Sequence, residues 1–99
     1  MHYLLMYDVA PDYVERRGAF RSQHLALAWA AAERGELILG GALMDPIDMS
    51  ILLFKVDSPA VIEAFVAADP YVQNGLVTRW RIRPWNTVVG SDASTPVRG

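Results

Sequence analysis

Histidine is the side chain whose ordinary pKa lies nearest neutrality, so small changes in its surroundings make it an acid or a base. His24 stands within a stretch that reads as helix, with Arg21 one turn and Arg17 two turns before it on the same side. Asp69 closes a second helical stretch, immediately before Pro70. A carboxylate bonded to one ring nitrogen fixes the tautomer of an imidazole and stabilises the imidazolium, so a His24–Asp69 pair would be an acid–base device. Arg17 and Arg21 could hold a carboxylate or phenolate through charge-assisted hydrogen bonds. Tyr71 could donate to a ligand oxygen, and Gly40-Gly41 could let a ligand come close to the backbone, which makes Gly41 a candidate contact.

Each of these residues also fits a purely structural role. His24 would then be a core histidine tied to a backbone carbonyl, and Asp69 a capping or turn residue. The arginines would occupy an exposed helix flank beside acidic partners. Gly40-Gly41 would be a packing bulge, and Tyr71 a plug on the core. Spacing leaves both sets of roles open. A metal centre has little support, because no second histidine stands at ligand spacing from His24. No metal or other cofactor is expected.

Composition bounds the rest. Ninety-nine residues leave room for one domain. Nine basic against eleven acidic side chains give a net charge of −2 and no general attraction to nucleic acid or anionic membrane. The absence of cysteine excludes disulfides, thiolate nucleophiles and cysteine-ligated metal. No apolar run approaches the ~20 residues of a membrane span. Met1-His2-Tyr3-Leu4 lacks the basic region of a signal peptide, so a cytoplasmic location is expected. The apolar fraction, 53%, exceeds the ~45–50% of ordinary proteins and points to burial against another copy.

The elements that must position the candidate residues follow from periodicity. His2 to Asp8 alternates Tyr3, Leu5 and Tyr7 against Leu4, Met6 and Asp8, a strand apolar on both faces. Asp12, with Glu15 as capping-box partner, is expected to open one helix running from Tyr13 to Arg34. Its inner stripe is Tyr13, Phe20, Leu27 and Ala31, with Arg17, His24 and Ala28 beside it; Gly18 is a soft spot and Gly35 a stop. Glu36 to Leu43 reads as a second strand, with a bulge or close approach at Gly40-Gly41, and Ser50 to Val56 as a third. Ser58 and Pro59 start a second helix with Val61, Ala64, Phe65 and Ala68 inward, and Pro70 stops it. The last strand runs from Leu76 to about Pro84 and sets Trp80 and Ile82 against a basic row, Arg79, Arg81 and Arg83, which suits an edge strand kept soluble by charge. Residues 2–89 are thus expected to form the domain and residues 90–99 a flexible tail. The order βαββαβ with right-handed crossovers gives an α+β, ferredoxin-like fold: a four-stranded antiparallel sheet, first and third strands central, both helices on one face. The other face is apolar and would be covered by a second copy.

Several segments together resemble the YCII-related domain (YciI-like) family. They are Arg17…Arg21-x-x-His24-Leu25, Gly35-Glu36-Leu37…Gly40-Gly41, Ala68-Asp69-Pro70-Tyr71-Val72…Gly75, and Arg83-Pro84-Trp85. The Ala-Asp-Pro-Tyr segment is the most specific, and the resemblance covers roughly residues 2–89. It implies a dimeric ferredoxin-like protein of the α+β-barrel type with a His–Asp active site, here His24 and Asp69. It also implies kinship with small isomerases, lyases and monooxygenases on the same scaffold, a few relatives being dehydrochlorinases of aromatic breakdown. Two departures touch the pocket rim: the Met44–Met49 connection is short, and the family's glycine-proline pair is Gly41-Ala42 here.

Three functions compete on these grounds. One is a metal-independent acid–base enzyme, isomerase or lyase in type, with His24 as proton carrier, Asp69 as its orienting carboxylate and Arg17, Arg21, Gly41 and Tyr71 around a small anionic or aromatic-derived ligand. Another is a noncatalytic ligand-binding or structural dimer. The third, an RNA-binding module of the same strand order, lacks the basic glycine-aromatic signature on its third strand, which reads Ile51-Leu52-Leu53-Phe54-Lys55.

Overall fold

The computed structural model describes residues 1–99. Four strands, β1 (His2–Val9), β2 (Leu37–Ala42), β3 (Met49–Lys55) and β4 (Val77–Trp85), form one antiparallel sheet in the order β2-β3-β1-β4. The two strands that are apolar on both faces are therefore the central ones, as their patterning predicts. Register fixes which side chains share a face: Tyr3 lies opposite Phe54 and Leu5 opposite Leu52, while Leu4 lies opposite Leu53 and Met6 opposite Ile51. The first set joins Ala31 of α2 (Arg21–Glu33) and Ile62, Phe65 and Val66 of α3 (Pro59–Ala68) in a single core. Phe54 and Phe65 meet edge to face, with centroids 5.4 Å apart. Both long helices thus cover one face. Leu4, Met6, Ile51 and Leu53 are half-buried on the other.

The first helix departs from the single span expected. It divides into α1 (Tyr13–Arg16), a 3-10 turn (Arg17–Ala19) and α2, with Phe20 out of helical geometry at φ −120° and ψ −2°. The division falls around Gly18, where a residue without Cβ has the most conformational entropy to lose. The inner stripe nevertheless survives, because the turn keeps Tyr13, Arg17, Phe20 and His24 on one side, all buried or half-buried. The expected Asp12 cap does not form: its side chain caps nothing and instead lies 3.8 Å from Arg16 on the surface.

In α3, Ser58 does cap, accepting from the Ala60 N–H at 3.2 Å, with Pro59 at the first helical position. Its buried stripe is Ile62, Phe65 and Val66, while Ala64 and Ala68 are exposed. An almost wholly apolar helix offers two registers at helical spacing, and the one that buries larger side chains removes more area from water. The irregularity in β2 lies between Leu37 and Leu39 rather than at the glycines. Gly40 is instead a close approach, since a Cβ there would sit 3.3 Å from Leu52 Cγ. Beyond β4 the chain turns back without further helix or strand: Val97 N–H donates to the Val88 carbonyl, and Thr87 Oγ1 lies 2.7 Å from Nδ1 of buried His2.

The split between the faces gives a direct test. Leu5 is fully enclosed and Leu39 is 70% exposed. Replacing Leu5 by Ala is expected to cost about 2–5 kcal/mol in urea unfolding, and the same change at Leu39 within about 0.5 kcal/mol.

Candidate active site

The site begins where α3 stops. Pro70 disfavours helical geometry in the residue before it, and Asp69 is accordingly extended, at φ −76° and ψ 118°. Pro70 does more than end a helix, for it opens the short helix α4 (Pro70–Gln73). Asp69 is left as the cap, its Oδ1 accepting from the Tyr71 N–H at 3.0 Å. The side chain has no solvent exposure at all. A carboxylate so placed must find hydrogen-bond donors within the protein.

Two more donors reach it from distant parts of the chain. Tyr7 of β1 donates its hydroxyl to Asp69 Oδ2 at 2.8 Å. His24 of α2 brings Nδ1 to within 2.8 Å of Oδ1. An ionised carboxylate only accepts, so Nδ1 carries the proton in the neutral ring and Nε2 keeps its lone pair. No side chain or backbone group bonds Nε2. The His24 ring also lies flat on Tyr71, with centroids 3.9 Å apart and planes within 9°. Tyr71 in turn meets Tyr13 edge-on at 5.7 Å, and the Arg17 guanidinium sits 5.5 Å above the Tyr13 ring. Orientation of the imidazole is thus fixed by a hydrogen bond at one edge and a ring against its face.

His24, with its side chain 15% exposed, opens onto a cavity of about 590 Å³ between α2 and the β2–β3 edge of the sheet. This volume falls in the range of small-molecule sites. Arg17, Arg21, Gly41 and Tyr71 all line it, so it gathers every candidate read from the sequence except Asp69, which lies behind His24. Most other lining residues are apolar, and Leu25 and Trp29 belong to the exposed rim. Neither Arg17 nor Arg21 has an acidic partner, nor do Arg79, Arg83 and Arg98, whereas Arg16, Arg34 and Arg81 are paired with Asp12, Glu36 and Asp8. No carboxylate lines the cavity. In a chain of net charge −2, this hollow is locally cationic.

Ionisation of the two buried phenols is suppressed. Burial raises the Tyr7 pKa far above its ordinary value, and the Asp69 charge and hydrogen bond raise it further. Burial and Tyr13 raise that of Tyr71, against an opposing pull from Arg21 and Arg17. Both remain donors at neutral pH. Tyr7, Tyr13 and Ser50 are site residues that spacing did not single out. Tyr7 alternates with the core like any strand aromatic, and only the sheet register shows that it faces Asp69. No group of three or more His, Asp or Glu side chains is placed to hold a metal ion.

A family model for the YCII-related domain matches residues 1–86. No curated protein matches the sequence. Among solved structures, 5-chloro-2-hydroxyhydroquinone dehydrochlorinase from Burkholderia phenoliruptrix, in complex with 2,5-dihydroxybenzoquinone, is similar at a TM-score of 0.74 and 20% identity, over 88% of this chain and 95% of that one. A protein of Agrobacterium tumefaciens is similar at a TM-score of 0.59 and 14% identity, over 95% and 98% of the two chains. At these identities the likeness is one of fold.

Tyr7→Phe leaves Asp69 Oδ2 without a donor, and is expected to cost about 1–3 kcal/mol in stability. It should also change the alkaline limb. A phenol that stays neutral when folded but ionises when unfolded holds more protons in the native state above about pH 10, so stability falls as pH rises there and is unaffected below. Denaturant midpoints from pH 8 to 11 should fall less in Tyr7→Phe than in the wild type; parallel curves would show that Tyr7 does not contribute.

Proposed function

The chain belongs to the YCII-related domain family, and on that premise we propose that it is an acid–base enzyme of isomerase or lyase type, using no metal, on a small anionic or aromatic-derived molecule. One observation carries this: an imidazole held at 2.8 Å by a buried carboxylate, with its second nitrogen unengaged, on the wall of a cavity that contains two unpaired guanidinium groups. Nε2 of His24 would take a proton from a carbon next to a carbonyl, and the C–H electron pair would move into the enolate. Asp69 would stabilise the imidazolium that results, and Arg17 and Arg21 the negative charge on the substrate. Tyr71 would donate to a substrate oxygen, and the Gly41 backbone would lie within reach of a bound ligand. Return of the proton at another carbon is isomerisation, while loss of a leaving group from the enolate is elimination. The dehydrochlorinase of similar fold, bound to a dihydroxybenzoquinone, makes oxygenated rings the first compounds to test.

A second reading has its own support, because Asp69 also caps α4 and anchors Tyr7, duties that a noncatalytic ligand-binding module would equally need. Under either, we take residues 2–89 as the working domain and residues 90–99 as its tail. A second copy would cover Leu4, Met6, Ile51 and Leu53 on the open sheet face, and a cytoplasmic homodimer is the working form. No helix is long and apolar enough to cross a membrane.

Exchange of substrate C–H hydrogen for deuterium, followed by NMR across a panel of 2-oxo acids and hydroxyquinones, separates the two readings. His24→Gln is expected to slow exchange or turnover by about 10²–10⁴-fold while leaving the fold intact, and Asp69→Asn to slow it as well while also lowering stability. Unchanged rates in folded His24→Gln would sink the enzyme reading. Sedimentation should give the mass of a dimer for the wild type and of a monomer for Leu53→Glu.

A further inference from the structure

One polar side chain in the cavity has no duty in the scheme above. Ser50 lies on the central strand β3, opposite Tyr7 of β1 and Ala42 of β2. That register puts it on the helix-covered face, in line with Leu52 and Phe54 and beside Tyr7, whose hydroxyl is engaged by Asp69. It is 9% exposed, and it lines the cavity. Its hydroxyl enters no side-chain hydrogen bond. No polar side-chain atom of the molecule is both sealed and unpaired, so the Ser50 oxygen keeps access to the hollow. A serine neither hidden nor satisfied, on a strand bonded along both edges, is a rigidly held hydroxyl pointed at a ligand's space.

The cavity takes its polar side chains from the helices and from the sheet. Arg17, Arg21 and His24 come from the helical segments and Ser50 from the sheet, and Ala28, Leu37 and Leu52 are among the apolar residues that line the same cavity. We propose that Ser50 is a specificity-determining residue, selecting planar apolar anions that carry a hydroxyl or carbonyl oxygen in addition to the charged group. The guanidinium groups would take the charge, the aliphatic walls the body, and Ser50 the second oxygen, as donor or acceptor. A ligand without that oxygen would strand the hydroxyl against hydrocarbon, and so would be bound less tightly. This deepens the enzyme reading by naming its substrate class, and it rests on the same cavity.

Isothermal titration calorimetry with two matched pairs provides the test: 4-hydroxybenzoate against benzoate, and 6-hydroxy-2-naphthoate against 2-naphthoate. In the wild type, the hydroxylated member of at least one pair should bind roughly 2- to 10-fold more tightly than its parent, the range of one neutral hydrogen bond. Ser50→Ala should erase that preference without weakening the parent, and Ser50→Thr, which restores a hydroxyl, should keep part of it. Thermal melts confirm that each variant is folded. The proposal is overturned if the preference survives in Ser50→Ala, if no preference exists in the wild type, or if none of the four anions binds. Failure of the acid–base reading would look different: the Ser50-dependent preference would stand, yet no compound would exchange its protons through His24.

Discussion

A carboxylate shut away from water is among the costliest groups a small protein can bury, and Asp69 is made tolerable only by converging donors. Those donors come from three places: the Tyr7 hydroxyl on a central strand, the Tyr71 amide at the start of α4, and His24 on α2. Each pins an element to the same point. The sheet, the long helix and the turn after α3 are thereby held together by one side chain. The arrangement of the candidate site is a consequence, because the imidazole cannot satisfy Asp69 without turning its other nitrogen away from it. The packing of three elements and the orientation of the imidazole share a single anchor here.

Charge is distributed in keeping with that anchor. An acidic chain that leaves two guanidinium groups unpaired beside a histidine, and no carboxylate around them, concentrates positive potential where the cavity opens. Apolar walls lower the local dielectric, so an anion entering the hollow would feel these cations more strongly than on an open surface. An apolar lining with a few polar groups is common among small-molecule sites.

Much of this was legible in the sequence, for specific physical reasons. Alternation of large apolar residues in His2–Asp8 and Ser50–Val56 identifies the central strands, since only a central strand is apolar on both sides. Helical spacing puts Arg17, His24 and Ala28 on one flank, and the segment around Asp69 and Tyr71 carries the family resemblance. What escaped was tertiary. Nothing near Tyr7 signals a partner sixty-two residues away, and Ser50 looks like an ordinary strand-start serine until register turns it inward. The α3 stripe was misplaced by one position because alanine, valine and isoleucine alternate along it, and periodicity does not rank them by size. The Asp12 capping box had the right letters, but its backbone takes another course.

The cavity's outer wall is β2, hydrogen-bonded along one edge only, irregular between Leu37 and Leu39, and tied to β3 by the short Leu43–Asp48 connection. Asp69 and its three donors all lie outside that wall. Substitutions or insertions in β2 and its connection can therefore reshape the pocket without disturbing the buried hydrogen-bonded cluster around Asp69. A scaffold divided in this way is evolvable, in that new ligands can be accommodated along a peripheral strand while the costly interior remains as inherited.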